Sequence, residues 1–217
     1  LYMNKTFIIA DAGNTSIKFG LCNDQQIIAV HRVDYKALEE WLSEHHDFSK
    51  LTCVLSNVTA HELAKKLAAF YSELFLVDQQ TKLPIQLNYA TPETLGIDRI
   101  CNAVAIQHAS PNKNAVSIDI GTCIKFDFVD EIGVYQGGSI SPGIDLRYKS
   151  MNDYTEKLPL LAYKDRVQLI GNSTEKSMHS GVINGIQAEI NDLIKRYTKE
   201  YQGLTFFVTG GDAQYFD

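Results

Sequence analysis

The chain has 217 residues, 45% of them hydrophobic, enough to bury a sizeable core in one large domain or two smaller ones. Its 20 basic residues stand against 26 acidic ones, a formal net charge of -6, and this balance argues against nucleic acid as a partner, because phosphate backbones are held by clustered Lys and Arg. No apolar run of membrane-spanning length and no signal peptide are recognised, so a cytoplasmic protein without membrane partners is expected.

Leu1 and Tyr2 precede the first methionine, Met3, and are left out of the fold reading. Phe7 to Ala12, Ser16 to Cys22 and Gln26 to Val33 read as three strands, with Gly13-Asn14 and Asn23-Asp24 as turn signals between them. Tyr35 to His46 has helical spacing at Leu38, Trp41 and Leu42, and His45 and His46 at its polar end read as solvated. A strand at Thr52 to Ser56, a helix at Ala60 to Tyr71 and a strand at Leu74 to Val77 complete a βββαβαβ order. Thr91 to Thr94 reads as a helix entry, continued by an amphipathic helix from Ile100 to His108.

The second half again begins with three strands, Ala115 to Ile120, Ile124 to Val129 and Gly133 to Ile140. A helical region follows Pro142-Gly143, a long helix runs from about Ser173 to Tyr201, and a strand at Leu204 to Val208 ends in Thr209-Gly210-Gly211. The cysteines Cys22, Cys53, Cys101 and Cys123 form no CxxC pair and the histidines no HExxH, so they read as reduced, mostly buried thiols outside any zinc framework.

The two halves also share a phrase. "ADAGNTSIKFGL" at Ala10 to Leu21 aligns, with one deletion, onto "SIDIGTCIKFDFV" at Ser117 to Val129, so that Asp11 meets Asp119, Gly13 meets Gly121, Thr15 meets Thr122 and Lys18 meets Lys125. An internal duplication is therefore expected, two similar α/β lobes over residues 3–112 and 113–217 facing one another across a cleft. A tight Gly-Asn or Gly-Thr turn points several backbone N–H groups into one concavity, and such nests bind phosphate oxygens. An Asp at the end of the incoming strand would repel phosphate directly but can hold a hydrated Mg²⁺ that bridges to it. Either copy alone is also what a plain β-hairpin with a polar turn carries; the pair together suggests a grip on a polyphosphate. The Gly-Gly of "FFVTGGDA" marks a place where backbone passes close to a neighbour, with a nucleoside as one candidate. Neither GxxxxGK[ST] nor a GxGxxG opening a helix occurs.

Taken in order, "DAGNTSIK", "GIDR", "DIGT", "GGSISPG", "GNST" and "TGGD" resemble the type III pantothenate kinases, over essentially the whole of Thr6 to Ala213. The resemblance implies a duplicated RNase H-like fold of the actin-like ATPase superfamily and ATP-dependent phosphorylation of pantothenate to 4′-phosphopantothenate, the first step toward coenzyme A. It implies an ATP phosphate loop at Asp11, Ala12, Gly13, Asn14, Thr15, Ser16, Ile17 and Lys18, with Asp11 near Mg²⁺, and further ATP contacts at Thr122, Gly210 and Gly211. It implies pantothenate contacts at Tyr89, Gly96, Ile97, Asp98, Arg99 and Thr174, Asp98 as catalytic base, a monovalent cation (K⁺ or NH₄⁺) on Asp119, and a homodimer that completes the site. Chemically, Arg99 suits a carboxylate, and an Asp base need only orient a hydroxyl and accept its proton late. Asp98 and Arg99 could also be ordinary charges on a solvated helix face, and Thr174 could cap the long helix.

Two departures from the family stand out. Lys125 replaces a usual Thr, and Cys123 a usual Ala; a turn at Gly121-Thr122 would set Lys125 across the hairpin from Asp119, where its ammonium could stand in for the cation. The family also continues with a further helix after TGGD. Two other readings are open: another small-molecule kinase of the superfamily, such as a sugar kinase, or a non-catalytic transcription accessory factor. Sugar kinases generally need longer chains, and the intact Asp11, Asp98 and Asp119 favour an enzyme.

Overall fold

Buried and exposed residues alternate along Phe7–Ala12 (β1) and Ser16–Cys22 (β2). Ile8, Ala10, Ala12, Ile17 and Phe19 share one fully buried face, and this period of two makes the chain start a half-buried antiparallel hairpin. The computed structural model describes residues 5–24, 26–58 and 61–216. Ile27–Asp34 (β3) extends the hairpin to a meander, and Thr52–Asn57 (β4) and Glu73–Val77 (β5) add in parallel on the other side of β1, giving the order β3-β2-β1-β4-β5. Leu38–Glu44 (α1) and His61–Phe70 (α2) make the connections, and Leu38, Leu42, Leu63 and Leu67 pack into the core of this sheet. Ala60, the expected start of α2, lies outside the described residues.

The helix expected over Tyr35 to His46 is shorter. It opens with a 3₁₀ turn at Tyr35–Ala37, and past Glu44 the chain passes into a second 3₁₀ stretch at His46–Lys50. The Tyr35 hydroxyl donates to the Gly13 carbonyl at 2.5 Å, which ties the start to the first hairpin. At the other end the His45 ring stacks on Trp41 at 4.3 Å with Nδ1 2.9 Å from the Trp41 carbonyl, so His45 is half-buried in an aromatic cluster and not solvated; His46 is exposed.

A second sheet repeats the scheme. Ala115–Ile120 (β7), Cys123–Val129 (β8) and Val134–Pro142 (β9) form the meander, Thr205–Thr209 (β10) joins β7 in parallel, and Gln86–Leu87 (β6), unforeseen from the sequence, borders β9, giving β10-β7-β8-β9-β6. The shared run, meander then parallel strand on the first strand's other side, is the duplicated RNase H-like architecture expected above. Ile144–Asp153 (α4) and the long Thr174–Glu200 (α5) cover this sheet, with Tyr148, Val182, Ile183, Ile186 and Ile190 in its core. Ile97–Ala109 (α3) starts earlier than expected, because the Gly96 carbonyl already accepts the Arg99 and Ile100 amides.

The chain forms two compact units, residues 1–82 with 91–101 and residues 83–90 with 102–217. Residues 83–90 and 102–112, read with the first lobe from the sequence, fall in the second unit. Cys22, Cys53, Cys101 and Cys123 are free thiols; burial pushes Cys53 up to about 12. Among the described residues no helix is long and apolar enough to cross a membrane.

Phe126 is fully buried and its ring lies parallel to that of Tyr197, centroids 6.1 Å apart. Phe126→Ala is expected to cost about 3–5 kcal/mol, read from the urea midpoint at unchanged slope.

Candidate active site

In the first unit Asp11 is the next-to-last residue of β1, opposite Lys18 on β2 and Ser56 on β4. The pleat leaves Asp11 half-buried and turns Lys18 to solvent, while Ala12 and Ile17 are fully buried beneath the turn and can offer a ligand only backbone. The turn is closed by the Gly13 amide donating to the Ser16 carbonyl at 3.1 Å, and Arg32 Nε donates to Ser16 Oγ at 3.1 Å. Asn14 and Thr15 stand exposed at its tip.

Gly96 to Arg99 form the entry and first turn of α3. The Asp98 carboxylate folds back so that its Oδ1 accepts the Arg99 amide at 2.9 Å, and a Cβ on Gly96 would meet that oxygen at 2.5 Å. Glycine is thus the residue that leaves room for the carboxylate. Ile97 and Arg99 are each only 5% exposed, so Arg99 does not belong to a solvated face; Asp98 is half-buried. One turn on, burial above all pushes the Cys101 thiol up, the Ser56 hydroxyl pulls it down, and the Asp11 and Asp98 carboxylates add smaller upward pushes. Asp11 and Asp98, far apart in sequence, therefore act on one half-buried thiol in this unit.

In the second unit Asp119 occupies the place on β7 that Asp11 has on β1, opposite Lys125 on β8 and Thr209 on β10. Here the lysine is drawn in: Lys125 Nζ lies 2.7 Å from Asp119 Oδ2, with the two side chains only 15% and 18% exposed. The Asn102 amide reaches the same oxygen at 3.5 Å, the outer limit of a hydrogen bond. The Gly121 amide donates to the Cys123 carbonyl at 3.1 Å, leaving Thr122 exposed at the tip.

Two further backbone segments press on this turn. The Gly143 amide donates to the Thr122 carbonyl at 3.0 Å, and a side chain at 143 would collide with the Gly121 and Thr122 carbonyls. Gly210 has φ +103 and a Cβ there would run into Ile120, whose carbonyl accepts the Asp212 amide at 3.0 Å. Thr122, Gly210 and Gly211 are thereby gathered at the end of β7. Sequence reasoning missed Gly143; its one signal was the glycine that closes "GGSISPG".

Tyr89 and Thr174 lie elsewhere in this unit. Tyr89 packs on Tyr135, centroids 5.9 Å apart, and against Gly137, toward the end of β9 away from Pro142. Tyr135 in turn donates to Asp127 Oδ1 at 2.8 Å, and Asp127 is a fully buried carboxylate that the sequence reading passed over. Thr174 is exposed on the first turn of α5, and the cap belongs to Ser173, whose hydroxyl accepts the Lys176 amide at 3.3 Å.

Residues 7–196 match the family model described as type III pantothenate kinase. The type III pantothenate kinase of Flavobacterium psychrophilum is 38% identical over 208 residues, covering 94% of this chain and 86% of the relative. That of Christiangramia forsetii is 39% identical over 212 residues, covering 95% and 86%. Among solved structures, a protein described as a Baf family transcriptional activator from Campylobacter jejuni superposes with a TM-score of 0.60 at 19% identity, covering 97% of this chain and 86% of that one, a likeness of fold. A family match across most of the sequence, with relatives of this identity and coverage, places the chain in the type III pantothenate kinase family.

Proposed function

We infer that the chain transfers the γ-phosphoryl group of ATP to the primary hydroxyl of pantothenate, giving ADP and 4′-phosphopantothenate for coenzyme A synthesis. The activity comes from the family; the Asp98 carboxylate, lodged in the space that Gly96 leaves and sharing the Cys101 neighbourhood with Asp11, carries its assignment to residues. In the transfer the bond from phosphorus to the β,γ-bridging oxygen breaks, a bond to the pantothenate oxygen forms, and the hydroxyl proton passes to Asp98. The transition state is loose, so positioning and charge neutralisation supply most of the rate, and the base need only orient the hydroxyl and accept its proton late.

Asp11 would hold Mg²⁺, which is commonly bound by one or two carboxylates together with substrate phosphates, and a half-buried carboxylate at a strand end beside a backbone turn has the right donor chemistry. When bound, the ion neutralises charge on the β- and γ-phosphates. The Gly13 to Lys18 turn and the turns at Thr122 and Gly210-Gly211 would supply backbone N–H groups to phosphate oxygens. Gly96, Ile97 and Arg99 would contact pantothenate, the guanidinium pairing with its carboxylate. The proposed setting is the cytoplasm, where ATP is at hand.

A homodimer is proposed as well. Leu169 and Ile170, 79% and 80% exposed, lie just before Thr174, and Leu160 is 64% exposed. Large apolar side chains standing in solvent suit a subunit contact.

Asp98→Asn should reduce turnover of pantothenate at least about a hundredfold while leaving the thermal midpoint in place; near-normal turnover in a coupled ADP-release assay would remove the base assignment. Gly96→Ala should displace the Asp98 carboxylate and lower kcat with ATP affinity little changed. Light scattering should give a mass near twice 24.3 kDa, and Ile170→Asp should shift it toward the monomer.

A further inference from the structure

Asp119 and Lys125 sit where the second hairpin departs most from the first. Both hairpins set a lysine opposite the strand-end aspartate, Lys18 against Asp11 and Lys125 against Asp119. Lys18 is exposed, whereas the Lys125 ammonium lies 2.7 Å from Asp119 Oδ2 with its side chain 15% exposed. Lys125 is on the central strand of its meander, laddered to Asp119 on β7 and to Ile140 on β9, so its stem starts from a fixed backbone.

A polyphosphate brought to the turn at Gly121 and Thr122 would meet the Asp119 carboxylate as a like charge, and some cation must offset it. A mobile K⁺ or NH₄⁺ on Asp119, as the family implies, does not fit the residues present. One oxygen of the carboxylate already faces an ammonium at hydrogen-bond distance, and a second cation beside it would sit near a like charge in a poorly solvated place. An ammonium is a compact point charge with three N–H donors, chemically the equivalent of NH₄⁺ on a tether.

We propose that Lys125 is the monovalent cation of this site, built into the chain, so that ATP binding and turnover need no added K⁺ or NH₄⁺. The proposal rests on the kinase reading above and assigns Lys125 a positioning and charge-balancing role. A tethered cation has lost its translational freedom during folding, so occupancy of the position no longer depends on the salt around it.

The test is a calorimetric titration of ATP and Mg²⁺ into the full chain in potassium chloride and in tetramethylammonium chloride at equal ionic strength, paired with turnover of pantothenate in the same salts. The unaltered chain should show an ATP Kd and a kcat equal within about twofold in both salts. Lys125→Thr and Lys125→Met, checked by circular dichroism, should bind ATP at least about tenfold more weakly in tetramethylammonium. Lys125→Thr should recover, saturably, on adding K⁺ or NH₄⁺ but not on adding more tetramethylammonium. A merely structural lysine would give no cation-selective rescue.

Saturable activation of the unaltered chain by K⁺, in binding or in turnover, would overturn the proposal, and it can be measured even if a variant fails to fold. Folded Lys125 variants that bind ATP as well as the parent in tetramethylammonium would overturn it too. Failure to phosphorylate pantothenate in every salt would instead remove the acceptor assigned above, with ATP binding still deciding the role of Lys125.

Discussion

The end of β7 is the constraint on which the second unit's site depends. Three backbone segments, the turn at Gly121 and Thr122, the approach of Gly143 and the bend at Gly210, meet there with no room for a Cβ on the two approaching glycines. Close packing of main chain on main chain leaves N–H and C=O groups that must find partners, and Gly143 to Thr122 and Asp212 to Ile120 are the bonds that satisfy them. A surface built from backbone in this way presents polar groups at fixed positions without the entropy of long side chains. That close approach explains why this corner is rich in glycine while the strands behind it are rich in Ile, Val and Phe.

Charge is distributed by the same geometry. An antiparallel hairpin sets residue against residue, so a phrase with aspartate before the turn and lysine after it places the two side by side in both sheets. The sheets then diverge: the first lets its lysine reach water, and the second holds the ammonium on the carboxylate. Duplication thus supplies one backbone plan and leaves the electrostatics of each turn to be set by its surroundings. In the first unit the Asp11 and Asp98 carboxylates both add to the upward push that burial gives the Cys101 thiol. In the second unit the negative charge is matched within the protein.

Where the function could be read in the sequence, it was read through short motifs at turns. "GIDR" carries a glycine because Asp98 needs the space, and "TGGD" carries one because Gly210 has positive φ and abuts Ile120. The isoleucine and the arginine of the first motif are both buried, which makes the motif a helix anchor.

Strand periodicity, the helical faces and the repeated hairpin phrase followed from the order of residues alone, because alternation and turn chemistry act over a few neighbours. β1, β2 and β7 begin and end where the apolar runs and turn signals place them. Folding decided what needed contacts between separate segments: the tie of Tyr35 to the first hairpin, the added strand β6, the closeness of Gly143 to Thr122, the shared surroundings of Asp11 and Asp98, and the burial of Asp127 beside Tyr135. None of these leaves a local pattern, since each depends on how segments pack within its own unit. The pairing of Lys125 with Asp119 stands between the two: the hairpin made them neighbours, but only burial in the packed unit turned neighbours into an ion pair.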